Sequence, residues 1–294
     1  MGRLIERLGM FCLLSLNIGL SCGATDPQND NPAPPVTGNF ALPTSQQPGP
    51  FVSIGQNLIG RNKVQLELDN LSPYPGVGPF KNTLASLTYG ITDSTSFYFG
   101  YPISATTKGS YYSFSQLGDL TFQLEQAIYA EGNAHHQDQV TIVGTLTVPD
   151  KDFSRESYNA FTYSLGTTYN RTTPDWQVFA SSGMLFSGSY NNSRLGSLVF
   201  YQAGIGHVIV AVPNESIVSG LLEFYGLYAE KDQVLGNYFP DTGGNVVSLV
   251  PSLSLAEPWF IVRAGLGFPV VQSFYGNQQK SSFYIVSSIS ITIN

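Results

Sequence analysis

The chain has 294 residues, of which 42% are hydrophobic and only 11% are charged, and its formal net charge is −7. An acidic chain whose few charges form no run is poorly suited to bind nucleic acid, so we expect no such partner. No apolar run approaches the roughly 18 residues that a membrane-spanning helix needs. If the chain crosses a membrane, it must therefore do so with strands.

The N-terminus has the pattern of a secretory signal. Met1–Gly9 carries two arginines, Met10–Leu20 is apolar but too short to span a membrane, and small residues follow. We predict a signal peptide over residues 1–24 that is absent from the mature protein. Because Cys12 lies within it, the mature chain has at most one cysteine and no internal disulfide.

Two cleavage sites compete in this signal. Cys22-Gly23-Ala24 has the small residues that signal peptidase I prefers. Leu20-Ser21-Cys22 resembles a lipobox, in which Cys22 would be lipidated, although Gly19 stands where a branched aliphatic residue is usual. The pattern favours the first site and leaves the second open.

The residues after the signal are rich in Pro, Asn and Gln. We predict a disordered periplasmic lead over Thr25–Pro50, because such a composition cannot bury a core. Phe51–Gly60 is more apolar, and it fits either a short lead-in to the first strand or a segment folded into a lumen as a plug. We favour the lead-in, since short apolar runs are ambiguous from pattern alone.

The remainder, 51–294, is predicted to be all-β, a transmembrane antiparallel up-and-down barrel of about twelve strands. Twelve runs of alternating or apolar residues carry this prediction. They are Val64–Asn70, Thr83–Thr92, Thr95–Ile103, Gly118–Tyr129, Gln139–Val148, Tyr158–Asn170, Trp176–Tyr190, Ser197–Val210, Ser216–Tyr228, Asn245–Ala256, Trp259–Val270 and Ser281–Ile293.

The connections between these runs alternate in length. Asp93-Ser94 and Glu257-Pro258 are tight, whereas Leu71–Asn82 and Ala229–Gly244 are long; Asn191–Gly196 is short where a long loop is expected. Outer-membrane barrels have short periplasmic turns and longer external loops, so we expect a bacterial outer-membrane protein with both chain ends in the periplasm.

Side-chain alternation predicts lipid outside and polar groups inside. In the last strand Ile285, Ile289 and Ile291 point one way, while Ser288 and Ser290 point the other. A soluble β-sandwich also alternates, but its polar face is rich in charge, which this chain lacks.

Several short motifs resemble one known family. They are Leu87-Thr88-Tyr89-Gly90-Ile91-Thr92-Asp93, Gly118-Asp119-Leu120, Gly144-Thr145-Leu146-Thr147-Val148-Pro149, Val250-Pro251-Ser252-Leu253 and Ala264-Gly265-Leu266-Gly267. Together they resemble the outer-membrane proteins of the MetA-pathway-of-phenol-degradation family, loosely grouped with hydrophobic-compound transporters. The resemblance implies a channel or transporter for small hydrophobic molecules, with membrane lipid and a small-molecule solute as partners.

Five charged side chains are predicted to face the lumen and to line a permeation path: Glu67, Asp119, Glu125, Glu223 and Arg263. An unpaired charge in a dry lumen is costly, so Arg263 should lie near a carboxylate, and Glu223 is the expected partner. The competing interpretation is a salt-bridge network that braces the barrel and touches no solute, because small barrels are often filled by side chains.

Two other functional classes are weaker. A lipid hydrolase needs a nucleophile with a His or a metal near the outer rim. His135 and His136 fall in a predicted periplasmic turn, and His207 lies alone between glycines. We expect no enzyme, no catalytic residues, no metal and no cofactor. A structural or ligand-binding barrel could instead act through external loops such as Ala229–Gly244.

An aromatic belt is predicted at the periplasmic rim. Tyr169 and Trp176 flank the short turn Arg171–Asp175, where amphipathic rings favour the lipid headgroup layer.

Overall fold

The computed structural model describes residues 36–55, 58–72, 83–104, 120–149, 160–278 and 280–293. The predicted signal peptide with Cys22, residues 25–35 of the predicted lead, and Asp119 lie outside the described residues.

Fourteen strands form in chain order. They are β1 (Val64–Ser72), β2 (Thr83–Thr92), β3 (Thr95–Ser104), β4 (Leu120–Gly132), β5 (Gln137–Val148), β6 (Thr162–Thr172), β7 (Trp176–Ser187), β8 (Leu198–Val212), β9 (Ser216–Ala229), β10 (Gln233–Val234), β11 (Asn237–Tyr238), β12 (Gly244–Ala256), β13 (Phe260–Phe274) and β14 (Tyr284–Ile293).

Twelve of these strands close into a single antiparallel barrel, in which β1 pairs with both β2 and β14. The predicted fold class and strand number are therefore confirmed. The other two, β10 and β11, form a separate hairpin inside the connection between β9 and β12.

The alternation of the sequence becomes the two faces of the barrel wall. On β14, Ile285 and Ile289 are 46% and 45% exposed on the outside, while Ser288 and Ser290 are 5% and 1% exposed on the inside. A barrel in water would bury such isoleucines, so the outer face is made for lipid.

The interior contains the chain that precedes β1. Two short 3-10 helices, Gly38–Ala41 and Thr44–Gln46, are followed by an irregular path that reaches β1 at Val64. None of the helices in the described part of the chain is long and apolar enough to cross a membrane. We call residues 36–55 and 58–63 the plug.

The plug differs from the sequence prediction at two points. The predicted disordered lead is ordered over 36–50, where Phe40, Ala41 and Leu42 are 7%, 0% and 3% exposed. Phe51–Gly60 folds into the lumen instead of serving as a lead-in strand, as the contacts below show. The physical reason is that the barrel wall supplies an apolar and hydrogen-bonding surface that the segment cannot supply for itself.

Candidate functional site

The plug is attached first at the short-turn end of the barrel. The backbone N–H of Asn39 donates to the carbonyl oxygen of Pro174 at 2.7 Å, and its side-chain amide donates to the carbonyl of Thr173 at 2.8 Å. The N–H of Asn214 donates to the carbonyl of Ala41 at 2.9 Å. Both turns thus hold this part of the plug.

Apolar packing supports the same attachment. Ala41 and Leu42 pack with Ile217, Ala256 and Ile261, which lie at the short-turn ends of β9, β12 and β13. We call residues 38–46 the anchor, because both backbone hydrogen bonds and apolar burial fix it.

The middle of the plug is held by one carboxylate. Glu223 on β9 is fully buried and accepts hydrogen bonds from the backbone N–H groups of Phe51 (3.0 Å), Val52 (3.2 Å) and Ser53 (3.0 Å). The hydroxyl of Ser53 donates to the same carboxylate at 2.7 Å. A buried carboxylate is tolerable only when such donors replace its water, so Glu223 and the plug depend on each other.

Arg263 on β13 holds the neighbouring plug residue. Its Nη1 donates to the carbonyl oxygen of Pro50 at 3.0 Å, and its guanidinium lies 5.3 Å from the centre of the Phe51 ring. Its Nη2 pairs with Glu67, and its Nε donates to Ser288 at 3.0 Å. The expected ion pair between Arg263 and Glu223 is wrong, because Arg263 pairs with Glu67.

The register of the barrel explains this correction. Arg263 is level with Ser254 on β12, which is level with Ser219 on β9. Glu223 lies four residues further along β9, which is about 13 Å at the rise of a β-strand. Side-chain parity places both groups inside the barrel, but it does not give their heights.

Apolar side chains of the plug pack on one part of the lumen wall. Val52 and Ile54 pack against Phe200, Tyr225 and Leu227, which we call the Phe200 cluster. Val52 and Phe51 also pack against a second cluster, formed by Val250, Tyr284 and Val286. We call Pro50–Ile54 the tip of the plug.

The plug then crosses towards β3 and leaves the lumen. The N–H of Ile54 donates to Oε1 of Gln202 at 2.7 Å, and that of Ile59 donates to the hydroxyl of Ser96 at 3.1 Å. At the exit, the backbone passes so close to Gly90 that a Cβ there would lie 2.1 Å from the carbonyl oxygen of Gly60. Only glycine permits this approach.

The plug and wall leave a narrow interior space. It has an empty volume of about 310 Å³, open in part to solvent, and Gly49, Ser252, Ser254 and Arg263 are among the residues that line it. The plug therefore fills most of the lumen at this level and leaves a narrow space beside it.

The predicted lumen residues that the structure describes do not form one group. Glu67 and Arg263 form the ion pair, and Glu223 binds the tip. Glu125, which is 1% exposed, accepts a hydrogen bond from the hydroxyl of Thr141 at 2.7 Å. Whether any of them lines a permeation path stays a prediction.

The sequence analysis missed the uncharged groups that hold the plug. Gln46 donates to Thr292, and Gln202 accepts from both Ile54 and Ser181. A glutamine in the middle of a strand carries no distinctive signal. The apolar run after Pro50 was the usable signal, because five of its first nine residues are large and apolar: Phe51, Val52, Ile54, Leu58 and Ile59.

The outer face at the short-turn end carries the two predicted belt aromatics. Tyr169 and Trp176 are 37% and 47% exposed, and the hydroxyl of Tyr169 donates to Asp138 at 3.1 Å. Trp176 lies edge-on to His207 with ring centres 4.3 Å apart. His207 thus faces outwards beside an aromatic ring. Among the described residues, no group of three His, Cys, Asp or Glu side chains is arranged to hold a metal.

Comparisons with known proteins give the fold. No family model matches the chain, and no curated protein matches it. The resemblance to the MetA-pathway family therefore stays a prediction.

Among solved structures, the chain is similar to an outer-membrane channel from Pseudomonas putida F1, with a TM-score of 0.55 and 14% identity over 84% of this chain and 99% of that chain. The NanC porin follows with a TM-score of 0.48 and 9% identity over 78% of this chain and 98% of that chain. At such identities the likeness to the Pseudomonas channel shows the fold alone. Together with the apolar outer face, it identifies the chain as a bacterial outer-membrane β-barrel.

Proposed function

We propose that the chain is an outer-membrane channel for small hydrophobic molecules and that its own N-terminal plug closes it. The observation that carries the proposal is the grip of Glu223 on three consecutive N–H groups of the tip. A carboxylate buried inside a barrel has no use for lipid anchoring, and here its bonds serve to seat a segment in the lumen.

The bonding of the tip suits a part that leaves its seat. Its polar attachments come from a few side chains, Glu223, Arg263 and Gln202, and no strand of the barrel pairs with it. Loss of the tip therefore leaves the wall ladder intact. The solute class is supported by the Phe200 cluster, which offers an aromatic surface to the lumen, and by the resemblance described above.

A permanently filled, structural barrel is the second candidate. The ion pair between Arg263 and Glu67 favours it, since both side chains are about six-sevenths buried, at 14% and 15% exposure, and join β13 to β1 across β14. Such a pair braces a wall whether or not solute passes.

Single-channel recordings in planar bilayers separate the two candidates. We expect the wild-type protein to conduct rarely, and Glu223→Gln to conduct at least about tenfold more often, because the charge-assisted bonds that seat the tip are lost. Removal of residues 36–60 should give continuous conductance.

The matched control is Glu257→Gln, an acid-to-amide change in the short turn between β12 and β13. It should behave as the wild type. A plug-deleted barrel that folds but does not conduct would contradict the channel and favour the filled barrel.

A further inference from the structure

Four neighbouring strands present a row of hydroxyl groups to the lumen near the long-loop end. Thr121 on β4 pairs with Thr147 on β5, which pairs with Thr162 on β6, which pairs with Ser187 on β7. Gln123 lies two residues below Thr121 on the same face. We call these five residues the hydroxyl wall.

Most of this wall is buried with polar atoms left over. Thr162, Thr121 and Gln123 are 1%, 8% and 9% exposed. Within the described part of the chain, Thr121 Oγ1, Gln123 Nε2, Thr162 Oγ1 and Ser187 Oγ make no hydrogen bond. Buried polar atoms without a partner are costly, and several in one row indicate that the wall is built to meet a hydrogen-bonding molecule.

The Phe200 cluster adjoins this wall. The ring of Phe200 reaches across to β6 and β7, where a Cβ on Gly166 or Gly183 would lie 2.6 or 2.4 Å from its Cζ atom. Gly166 is four residues from Thr162 on the same strand, which is about 13 Å. An aromatic surface and a hydroxyl row therefore lie within the length of one small molecule.

Charge is absent from both surfaces. The five residues of the hydroxyl wall and the three of the Phe200 cluster are all uncharged at neutral pH. The acid nearest along β9, Glu223, is already bound to the tip. A charged solute would lose its water here without gaining a counter-charge.

From this geometry we propose a solute site in the long-loop half of the lumen for an uncharged amphipathic molecule. Its apolar body lies on the Phe200 cluster, and its hydroxyl or carbonyl groups meet the hydroxyl wall. The inference rests on the proposed channel function and narrows its substrate class.

The site is coupled to the plug. Val52 and Ile54 of the tip already cover the Phe200 cluster. A solute that places its apolar body there replaces these side chains, so solute binding and seating of the tip compete. The apparent affinity is then reduced by the fraction of molecules in which the tip is seated.

Three matched probes test the substrate class on the full-length protein: ethylbenzene, 2-phenylethanol and phenylacetate. In calorimetric titrations we expect 2-phenylethanol to bind about tenfold tighter than the other two, because it alone is uncharged and satisfies the wall. Glu223→Gln should tighten its binding further by freeing the cluster.

Wall variants locate the site. Thr162→Val and Gln123→Leu should each weaken 2-phenylethanol binding about five- to tenfold and leave ethylbenzene unchanged. Thr167→Val, on the lipid side of the same strand β6, is the matched control and should change neither. Ser187→Ala serves if Thr162→Val fails to give the folded band on a gel.

Equal binding of the three probes, or equal behaviour of Thr162→Val and Thr167→Val, overturns the site while the conductance of Glu223→Gln still supports a channel. If instead Glu223→Gln conducts no more than the wild type, the channel function fails even where 2-phenylethanol binds the wall.

Discussion

The anchor and the tip of the plug are bound to the barrel in different ways. The anchor uses apolar burial at Ala41 and Leu42 and backbone bonds to two turns. The tip adds polar bonds from two charged side chains, Glu223 and Arg263. Apolar burial is insensitive to local charge, whereas a charge-assisted bond is lost with its one side chain. The two regions should therefore respond separately to substitution.

The largest effect is expected at Arg263, which serves both the wall and the tip. Arg263→Ala leaves Glu67 as an unpaired, mostly buried charge and should lower the free energy of unfolding by about 3–5 kcal/mol. Urea titration followed by the heat-modifiable gel shift measures it. The double variant Arg263→Ala with Glu67→Gln should recover much of the loss.

The same variant tests the permeation role predicted for Arg263. Unchanged stability together with a raised cation preference, measured as a reversal potential in a salt gradient, would contradict the bracing role. That outcome would favour Arg263 as a lining residue of the path.

Glu223→Gln should loosen the tip and spare the anchor. Its loss of charge-assisted bonds is worth about 1.5–3 kcal/mol, so amide hydrogen exchange at Phe51, Val52 and Ser53 should accelerate about ten- to a hundredfold. Exchange at Asn39 should not change. Equal acceleration at both places would show that the plug moves as one body and would remove the distinction.

Asn39→Ala is the reciprocal change at the anchor. It removes the side-chain bond to Thr173, which is worth about 1 kcal/mol. Exchange of the Asn214 N–H, which bonds to Ala41, should accelerate about fivefold by the same estimate. The tip amides should exchange as before, and a change in single-channel opening would argue that the anchor also controls the pore.

The smallest expected effect concerns the depth of the anchor. Trp176 adjoins the turn that holds Asn39, and the chain has 2 tryptophans. In a Trp259→Phe background, brominated lipids should quench Trp176 most when the bromine is shallow, because indole favours the headgroup layer. Stronger quenching by deep bromines would place the anchor within the apolar layer.

The barrel was predictable because its signal is local. A strand with lipid on one side and a lumen on the other alternates with period two, and β2 begins and ends at the predicted residues, Thr83 and Thr92. The β10–β11 hairpin was missed because Leu235 occupies a turn position with φ 48°, where Asn or Gly is the usual signal.

The site was less predictable because it depends on heights and on a segment without periodicity. Parity puts Glu223 and Arg263 inside the barrel, but the partner of each was decided by strand register and by the plug. Phe51–Gly60 alone has no pattern that distinguishes a lead-in from a plug, since its bonds go to residues more than a hundred positions away, such as Glu223 and Gln202.

The order of the attachments along the chain has a mechanical consequence. The anchor precedes the tip, and the tip precedes β1, so the three are loaded in series from the N-terminal side. A pull on residues before the anchor is borne first by Asn39 and Ala41, and Glu223 carries no tension until these have yielded. Solute entering from the long-loop end meets the tip first and leaves the anchor unstressed. The same plug is therefore strong against force from one side of the membrane and weak against chemistry from the other.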